Sequence, residues 1–465
     1  MNRLNTLLDA VASRNAAPEW LEGRSRVAAG YEALLAYLGD NPEAQIYGFN
    51  TLSGHRDDHR LSEGAATRFQ RELIESHTIS DAPDYAQDVA LTIMATKLQQ
   101  LSHGGATLTE PLYAALLAAF EDNGFHPSVP VQSSYSCGDV IPGAHWARSV
   151  LAHLERGGER FALRRGEGMA LINGSFVHLG YAASTVPSLR ALWAMQLDAM
   201  RSDIALGRAD TGVLGYARLV GDVPKAALDH IARGSDAALT GGAQWPVSFR
   251  AIPETSALLF AAYCEFIAEI DKQLGEASGN PIMAEGPDGA RPYSQASFLL
   301  PLLAVRSAAV IEALMFSASA ELGRIKWLLS GMVSGLPLDG NQGPEDVAFI
   351  QWPKLMQAMV EELRLLLGRT LYASGGDTSF GVEDLWTNGV ANIERLAQGI
   401  ALSQRILALG LRLKIRLADR FDRQSGLDDG LLEICRRGSS AREESAAVIG
   451  HYAGPAKANL REMLL

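Results

Sequence analysis

Ser133-Ser134-Tyr135-Ser136-Cys137-Gly138-Asp139-Val140-Ile141-Pro142 is the stretch on which the reading of this chain turns. As a run of small residues ending in Gly-Asp it has a plain reading. It is a loop that caps the next helix, with Asp139 as the N-cap and Gly138 supplying backbone freedom. Ser136-Cys137-Gly138 also carries a chemical reading. A glycine nitrogen is unhindered enough to attack the carbonyl carbon two residues back and close a five-membered ring. The residue between them bears a β-leaving group, so elimination leaves an exocyclic methylidene conjugated to that ring. Serine is the usual middle residue; cysteine reaches the same product by losing hydrogen sulfide in place of water. The product is an electrophile made from backbone, able to take an amine or an aromatic carbon, which is covalent catalysis with its polarity reversed.

Outward from this stretch the chain carries further irregular, polar segments. Ile46-Tyr47-Gly48-Phe49-Asn50-Thr51-Leu52-Ser53-Gly54 is glycine-punctuated, as functional loops tend to be, although Tyr47 by itself reads first as a turn tyrosine packed on the core. Phe69-Gln70-Arg71-Glu72-Leu73-Ile74-Glu75-Ser76-His77 reads as a helix whose last residue, His77, either caps the helix or faces a ligand. Leu91 to Phe120 reads as two helices split at Ser102-His103-Gly104-Gly105-Ala106-Thr107, and His145-Trp146 as the start of another. Asn173-Gly174 reads first as a turn. Glu383-Asp384 reads first as an acidic pair at the start of the following helix.

Taken together, these segments resemble those of the histidine/phenylalanine ammonia-lyase and aminomutase family, whose members build a methylidene-imidazolone (MIO) group from Ala-Ser-Gly. Ser136-Cys137-Gly138 stands in the place of that triad, on a loop one residue shorter after Pro130. Tyr47, Gly48, Asn50, Thr51 and Gly54 match the family's inner loop, while Leu52 and Ser53 depart from it. Glu167-Gly168-Met169-Ala170-Leu171-Ile172-Asn173-Gly174-Ser175 is the strongest match outside the triad, and Lys97, Gln99, Leu101 and Gly104 keep the family spacing. Gln244-Trp245-Pro246-Val247-Ser248-Phe249-Arg250 keeps the glutamine and arginine, with Val247 where the family has tyrosine; Val382 replaces the glutamine before Glu383. The resemblance implies roles. Tyr47 would be the catalytic base and Ser136, Cys137 and Gly138 the source of the MIO. Asn173 would sit beside the ring, Arg250 would grip the substrate carboxylate, and Glu383 would lie near its amino group. His77, Gln244 and Phe298 would line the substrate pocket. It implies an all-α, elongated helical bundle of the ammonia-lyase/fumarase-like superfamily, assembled as a homotetramer with shared active sites. The activity implied is that of a carbon–nitrogen lyase or 2,3-aminomutase on an α-amino acid with a histidine-like or other polar side chain. The alternative keeps the fold without the MIO, Cys137 remaining a thiol and the pocket serving other chemistry on an amino-acid-like substrate.

Composition bounds the rest. Hydrophobic residues make up 47% of the 465 and charged residues only 20%, below the ordinary average of about 25%, as expected where helices are buried on every side. The net charge of −12 disfavours nucleic acid and acidic membrane surfaces as partners. Cys137, Cys264 and Cys435 are an odd, widely spaced set with no metal-ligand or redox pairing, which fits a reducing, cytoplasmic setting. The opening residues make no apolar leader, being broken by Asp9, Arg14 and Asn15. The run from Leu299 to Met315 is interrupted by Arg306 and Glu312 and reads as a buried helix. Met356–Leu371 and Ile393–Arg420 have the apolar spacing of bundle helices. The organisation expected is an N-terminal helical region (1–190) bearing Tyr47, the Ser136-Cys137-Gly138 loop and Asn173. A long-helix bundle with C-terminal helices (191–465) follows, with no linker between the two.

Overall fold

The computed structural model describes residues 2–209, 211–215, 223–233, 245–287, 289–332, 334–368 and 376–464. Among them the chain is helical, apart from one antiparallel hairpin pairing Ile282–Gly286 with Gly289–Tyr293. Two helices, Asn2–Ser13 and Pro18–Asp40, open the chain, and the expected pair about the 102–107 break is present as Gln87–Leu101 and Glu110–Glu121. Trp352–Leu365 and Gly389–Arg420 follow later in the chain, the former ending short of the expected Leu371. One boundary is corrected. The helix expected from His145 starts at Val140 and runs to Leu154. Pro142 falls in its first turn, where a missing N–H is no loss.

The chain divides into two compact units. The first comprises Met1–Ser184, Ile267–Val305 and Arg369–Glu394. Its centre is the helix Gln87–Leu101, in which every residue from Ala90 to Leu101 is buried. A helix buried all round cannot be amphipathic, and its polar side chains must find partners inside the protein. Gln99 Oε1 accepts from Trp20 Nε1 at 2.6 Å, Gln100 Nε2 donates to Ser175 Oγ at 2.8 Å, and Lys97 Nζ donates to Asn173 O at 2.8 Å. Burial lowers the Lys97 pKa to about 7. Two glycines let neighbouring segments close on one another. A Cβ at Gly143 would lie 2.3 Å from Ile172 O, and one at Gly168 would lie 2.3 Å from Gln70 O. The helices Glu63–His77, Val140–Leu154 and Glu167–Ile172 are thereby held at backbone contact.

The second unit comprises Thr185–Phe266, Arg306–Gly368 and Arg395–Leu465. It contains a fully buried ion cluster of two acids and two bases. Arg324 meets Asp203 at 2.6 Å and Glu321 at 2.9 Å, and Lys414 lies 2.7 Å from each of the same carboxylates. Near the chain's end, Asp198 receives His230 at 2.7 Å, Tyr452 at 2.9 Å and Lys457, tying the last helices to this unit. The apolar run read as buried opens a helix, Pro301–Ser330, that is long and apolar enough to cross a membrane by length and composition. Its Glu321 and Arg324 belong to the ion cluster, while Leu302, Val305 and Phe316 are exposed, so the run is buried on one side only.

Removing one partner of a buried ion group leaves uncompensated charge, at a cost of about 3–5 kcal/mol. Lys414→Met is therefore expected to lower the urea midpoint by that order, read by circular dichroism. An unchanged midpoint would show that the two carboxylates relax without their shared cation.

Candidate functional site

The Ser133–Pro142 stretch is a loop bound on every side. Its backbone is left-handed at Ser136 (φ +65°), Gly138 (φ +87°) and Asp139 (φ +50°), a region costing a non-glycine residue about 1–2 kcal/mol. A relay of hydrogen bonds holds that shape. Ser136 N donates to Ser134 Oγ at 2.8 Å, and Ser134 Oγ donates to Asp139 Oδ1 at 2.6 Å. Asp139 Oδ2 lies 2.7 Å from His178 Nδ1 and accepts from His178 N at 3.2 Å. Asp139 stands in the N-cap position of Val140–Leu154 but makes no side-chain cap; its carboxylate is turned to Ser134 and His178. From the far side, Asn388 N donates to Tyr135 O and Val390 N to Ser136 Oγ, both at 3.0 Å.

The Asn173 segment closes against this loop. Gly174 N donates to Gly138 O at 2.9 Å, while Lys97 holds Asn173 O from behind. The Asn173 side chain lies where a Cβ on Gly138 would fall, with Nδ2 2.9 Å from that point. Its Oδ1 is buried and has no hydrogen-bond partner.

The Tyr47 loop is built by its own polar residues. Asn50 Oδ1 accepts from Ile46 N at 2.7 Å, and its Nδ2 donates to Ala44 O at 2.9 Å. Gln70, fully buried, donates to Gly48 O at 3.1 Å and accepts from Gly168 N at 3.0 Å, pinning this loop to the segment that leads into Asn173. Tyr47 Oη accepts the Gly54 N–H at 3.0 Å. Burial raises the Tyr47 pKa, Gly54 opposes the rise, and the negative charges of Glu383, Asp57 and Cys137 add to it. A cavity of about 280 Å³ opens beside Tyr47, bounded also by Thr51, Asp57, Asp58 and Pro281.

Glu383 is fixed from two directions. Tyr135 Oη donates to its Oε2 at 3.0 Å and Thr378 Oγ1 donates to the same oxygen at 2.6 Å. Tyr135 packs edge-on against Trp386, with ring centroids 5.0 Å apart. The Glu383 segment reaches the Tyr47 loop through the rings of His55 and Phe380, 4.5 Å apart. Burial and then Glu383 push the Tyr135 phenol to about 12, against the Thr378 hydrogen bond. Cys137, half-buried, is pushed up to about 12 by burial and by Glu383, Asp139 and Asp384. At neutral pH it is a thiol, not a thiolate.

Tyr47, Ser136, Cys137, Gly138, Asn173 and Glu383 thus fall in one unit, joined by a continuous set of contacts. Phe298 lies in the same unit, half-buried, on a segment tied to it by the bond from Thr387 Oγ1 to Leu299 O at 2.7 Å. His77 keeps to its own helix, its Nδ1 2.7 Å from Leu73 O, so here the capping reading fits the geometry. Arg250 belongs to the second unit, where its Nε donates to Trp245 O at 2.8 Å. Val247 is exposed. Gln244 lies outside the described residues. Sequence reasoning did not single out Tyr135, Thr378, Gln70 or His178. Only Tyr135 gave a signal, as a bulky residue in a run of small ones.

The surroundings of Ser136-Cys137-Gly138 fit an MIO ring. Such a ring carries a carbonyl that needs a donor, and Asn173 Nδ2 lies 2.9 Å from where a Cβ on Gly138 would fall, with the amide's Oδ1 buried and unpaired. Which end of an amide faces inward is set by its partner. Asn173 would hold the ring on one side and the Ser134–Asp139–His178 relay on the other.

A profile of the aromatic amino acid lyase family matches residues 7–433. The probable histidine ammonia-lyase of Halobacterium salinarum is 25% identical over 365 residues, spanning 70% of this chain and 68% of its own. The MIO-dependent tyrosine 2,3-aminomutase of Streptomyces globisporus is 29% identical over 147 residues, 28% of this chain and 27% of its own. The crystal structure of tyrosine aminomutase from Streptomyces globisporus shares the fold, with a TM-score of 0.77 at 20% identity over 93% of this chain and 91% of that one.

Gln70→Leu strips hydrogen bonds from the buried Gly48 carbonyl and the Gly168 amide, each worth about 1–3 kcal/mol when left unpaired. The expected result is a lower urea midpoint with faster amide exchange over 46–54. Unaltered exchange there would mean that the Tyr47 loop is held by Asn50 alone.

Proposed function

This chain belongs to the aromatic amino acid lyase family, whose members are ammonia-lyases and aminomutases, and from that premise we propose that it eliminates or shifts the amino group of an α-amino acid using an MIO formed from Ser136-Cys137-Gly138. The observation that carries the proposal is the convergence of Tyr47, Glu383 and Asn173 on Cys137 and Gly138. When formed, the ring would supply an electrophile for the substrate amine.

The chain's own groups would do the rest. Tyr47 would accept the proton from the substrate β-carbon, for which its phenol must ionise. The Gly54 N–H favours the ionised form; burial and Glu383 resist it. Glu383, held by Tyr135 and Thr378, would offer a fixed carboxylate to the substrate ammonium. Arg250 is proposed as carboxylate anchor on its sequence setting. Exposed Leu302, Val305, Phe316, Leu355 and Leu365 support a homotetramer, which equilibrium sedimentation would reveal; a monomer would overturn it. Against the alternative of a nucleophilic Cys137 stands its raised pKa, which leaves almost no thiolate at neutral pH.

The decisive test is intact mass with a peptide map across Pro130–Pro142, followed by incubation with a panel of amino acids. A chain lighter by one water and one hydrogen sulfide, releasing ammonia or a β-amino acid, is expected. An unmodified, alkylatable Cys137 would overturn the proposal. In the active protein, Tyr47→Phe is expected to lower kcat by about 10²–10⁴. Glu383→Gln removes a negative charge that raises the Tyr47 pKa, so the ascending limb of the pH–rate profile moves to lower pH. A limb that stays in place would show that Tyr47 is not the group titrating.

A further inference from the structure

Asp139 occupies the place of a helix N-cap yet does not cap, and the reason is His178. Both of its N–H groups, ring and backbone, converge on Asp139 Oδ2 at 2.7 and 3.2 Å. With Nδ1–H donated to the carboxylate, the other ring nitrogen, Nε2, is left bare. His178 is 1% exposed, and that Nε2 has no hydrogen-bond partner. The ring is wedged between Asp139 and Gly389. A Cβ at position 389 would lie 2.9 Å from His178 Cδ2 and 3.0 Å from Ser136 Oγ, so only glycine leaves room for both. A buried ring nitrogen without a partner calls for an explanation, and here the ring is oriented by its bond to Asp139.

Resting on the ring-forming reading of this loop, we infer that His178 is a positioning residue for closure of Ser136-Cys137-Gly138, acting through Asp139. Held by His178, Asp139 presents Oδ1 to the Ser134 hydroxyl, and Ser134 Oγ in turn receives Ser136 N–H. The relay therefore grips both ends of the segment to be closed. Without the imidazole donor, Asp139 is free to turn and cap its own helix, as an aspartate in that place ordinarily does. Ser134 then loses its acceptor, and Ser136 relaxes from its left-handed backbone toward conformations that serine prefers.

The closure it serves is balanced without oxidant or reductant. The Gly138 nitrogen bonds to the Ser136 carbonyl carbon. The Ser136 carbonyl oxygen departs as water with the protons of Gly138 N–H and Cys137 N–H, leaving a carbon–nitrogen double bond. The Cys137 Cα proton and the Cβ–Sγ bond are then lost together as hydrogen sulfide.

The test follows maturation by intact mass after cell-free synthesis of the full chain, with alkylation of Cys137 as a second readout and thermal unfolding as a check on folding. His178→Leu keeps the apolar bulk without the donor, and His178→Gln restores an N–H donor. Ser134→Ala cuts the relay on its half-buried side, where folding is not at stake. His178→Leu and Ser134→Ala are expected to lose water and hydrogen sulfide at least about ten-fold more slowly than wild type and to keep an alkylatable thiol. His178→Gln is expected to recover most of the rate. A folded His178→Leu chain that matures at the wild-type rate overturns the inference while leaving the ring in place, as does His178→Gln behaving like His178→Leu. Should His178→Leu fail to fold, an unslowed Ser134→Ala overturns it. A wild-type chain of full mass overturns both this inference and the reading beneath it.

Discussion

A polar side chain taken out of water must find a partner inside, and on the helix Gln87–Leu101 this requirement organises the first unit. The helix is buried on all its faces, yet carries Lys97, Gln99 and Gln100. Each reaches a different neighbour: Asn173 O, the Trp20 indole and Ser175 Oγ. The contacts come from residues at almost consecutive positions, and together they register the helix Pro18–Asp40 and the Asn173 segment against one rigid rod. Leaving any of these side chains wholly unpaired would cost several kcal/mol, even though Gln99 Nε2 and Gln100 Oε1 have no partner of their own. The arrangement is therefore specified by the expense of every alternative, more than by the strength of any one bond.

The same logic shapes the loop around Cys137, with charge added. Asp139, Glu383 and Asp384 all raise the Cys137 pKa, and Glu383 also raises those of Tyr47 and Tyr135. Burial first, and then these acidic groups, raise the pKa values of the two phenols and the thiol. Such a setting suits a cationic guest, whose arrival would lower each of those pKa values at once. The gathered carboxylates and the raised Tyr47 pKa are thus two sides of one electrostatic fact.

What could be read from the sequence was what is local. The Tyr47 loop was legible because Asn50 and Gly54 act on residues within seven positions of themselves, and the Asn173 turn because it follows a short helix directly. The helical class was implied by the family resemblance, and the apolar spacing of the long segments agreed with it. Tyr135 with Thr378 was not legible, since their partnership spans 243 residues and leaves no periodic trace. His178 was hidden for a different reason: a single histidine in an apolar helix resembles any core residue until its neighbours are known. The start of Val140–Leu154 agrees with the capping reading of Asp139, which stands in the N-cap position; what stayed hidden is that its side chain is turned to Ser134 and His178.

The bond from Val390 N to Ser136 Oγ gives the long helix Gly389–Arg420 a cap borrowed from a residue more than 250 positions earlier. Helix ends ordinarily fray, because their first N–H groups have no partner within the helix. Here one of those groups is anchored to the loop bearing Ser136, so loosening the first turn and disturbing that loop are the same event. The Val390 amide is in effect a built-in gauge. Its hydrogen exchange would register the state of a segment in which Cys137 and Gly138, once joined into a ring, would no longer carry amide protons of their own.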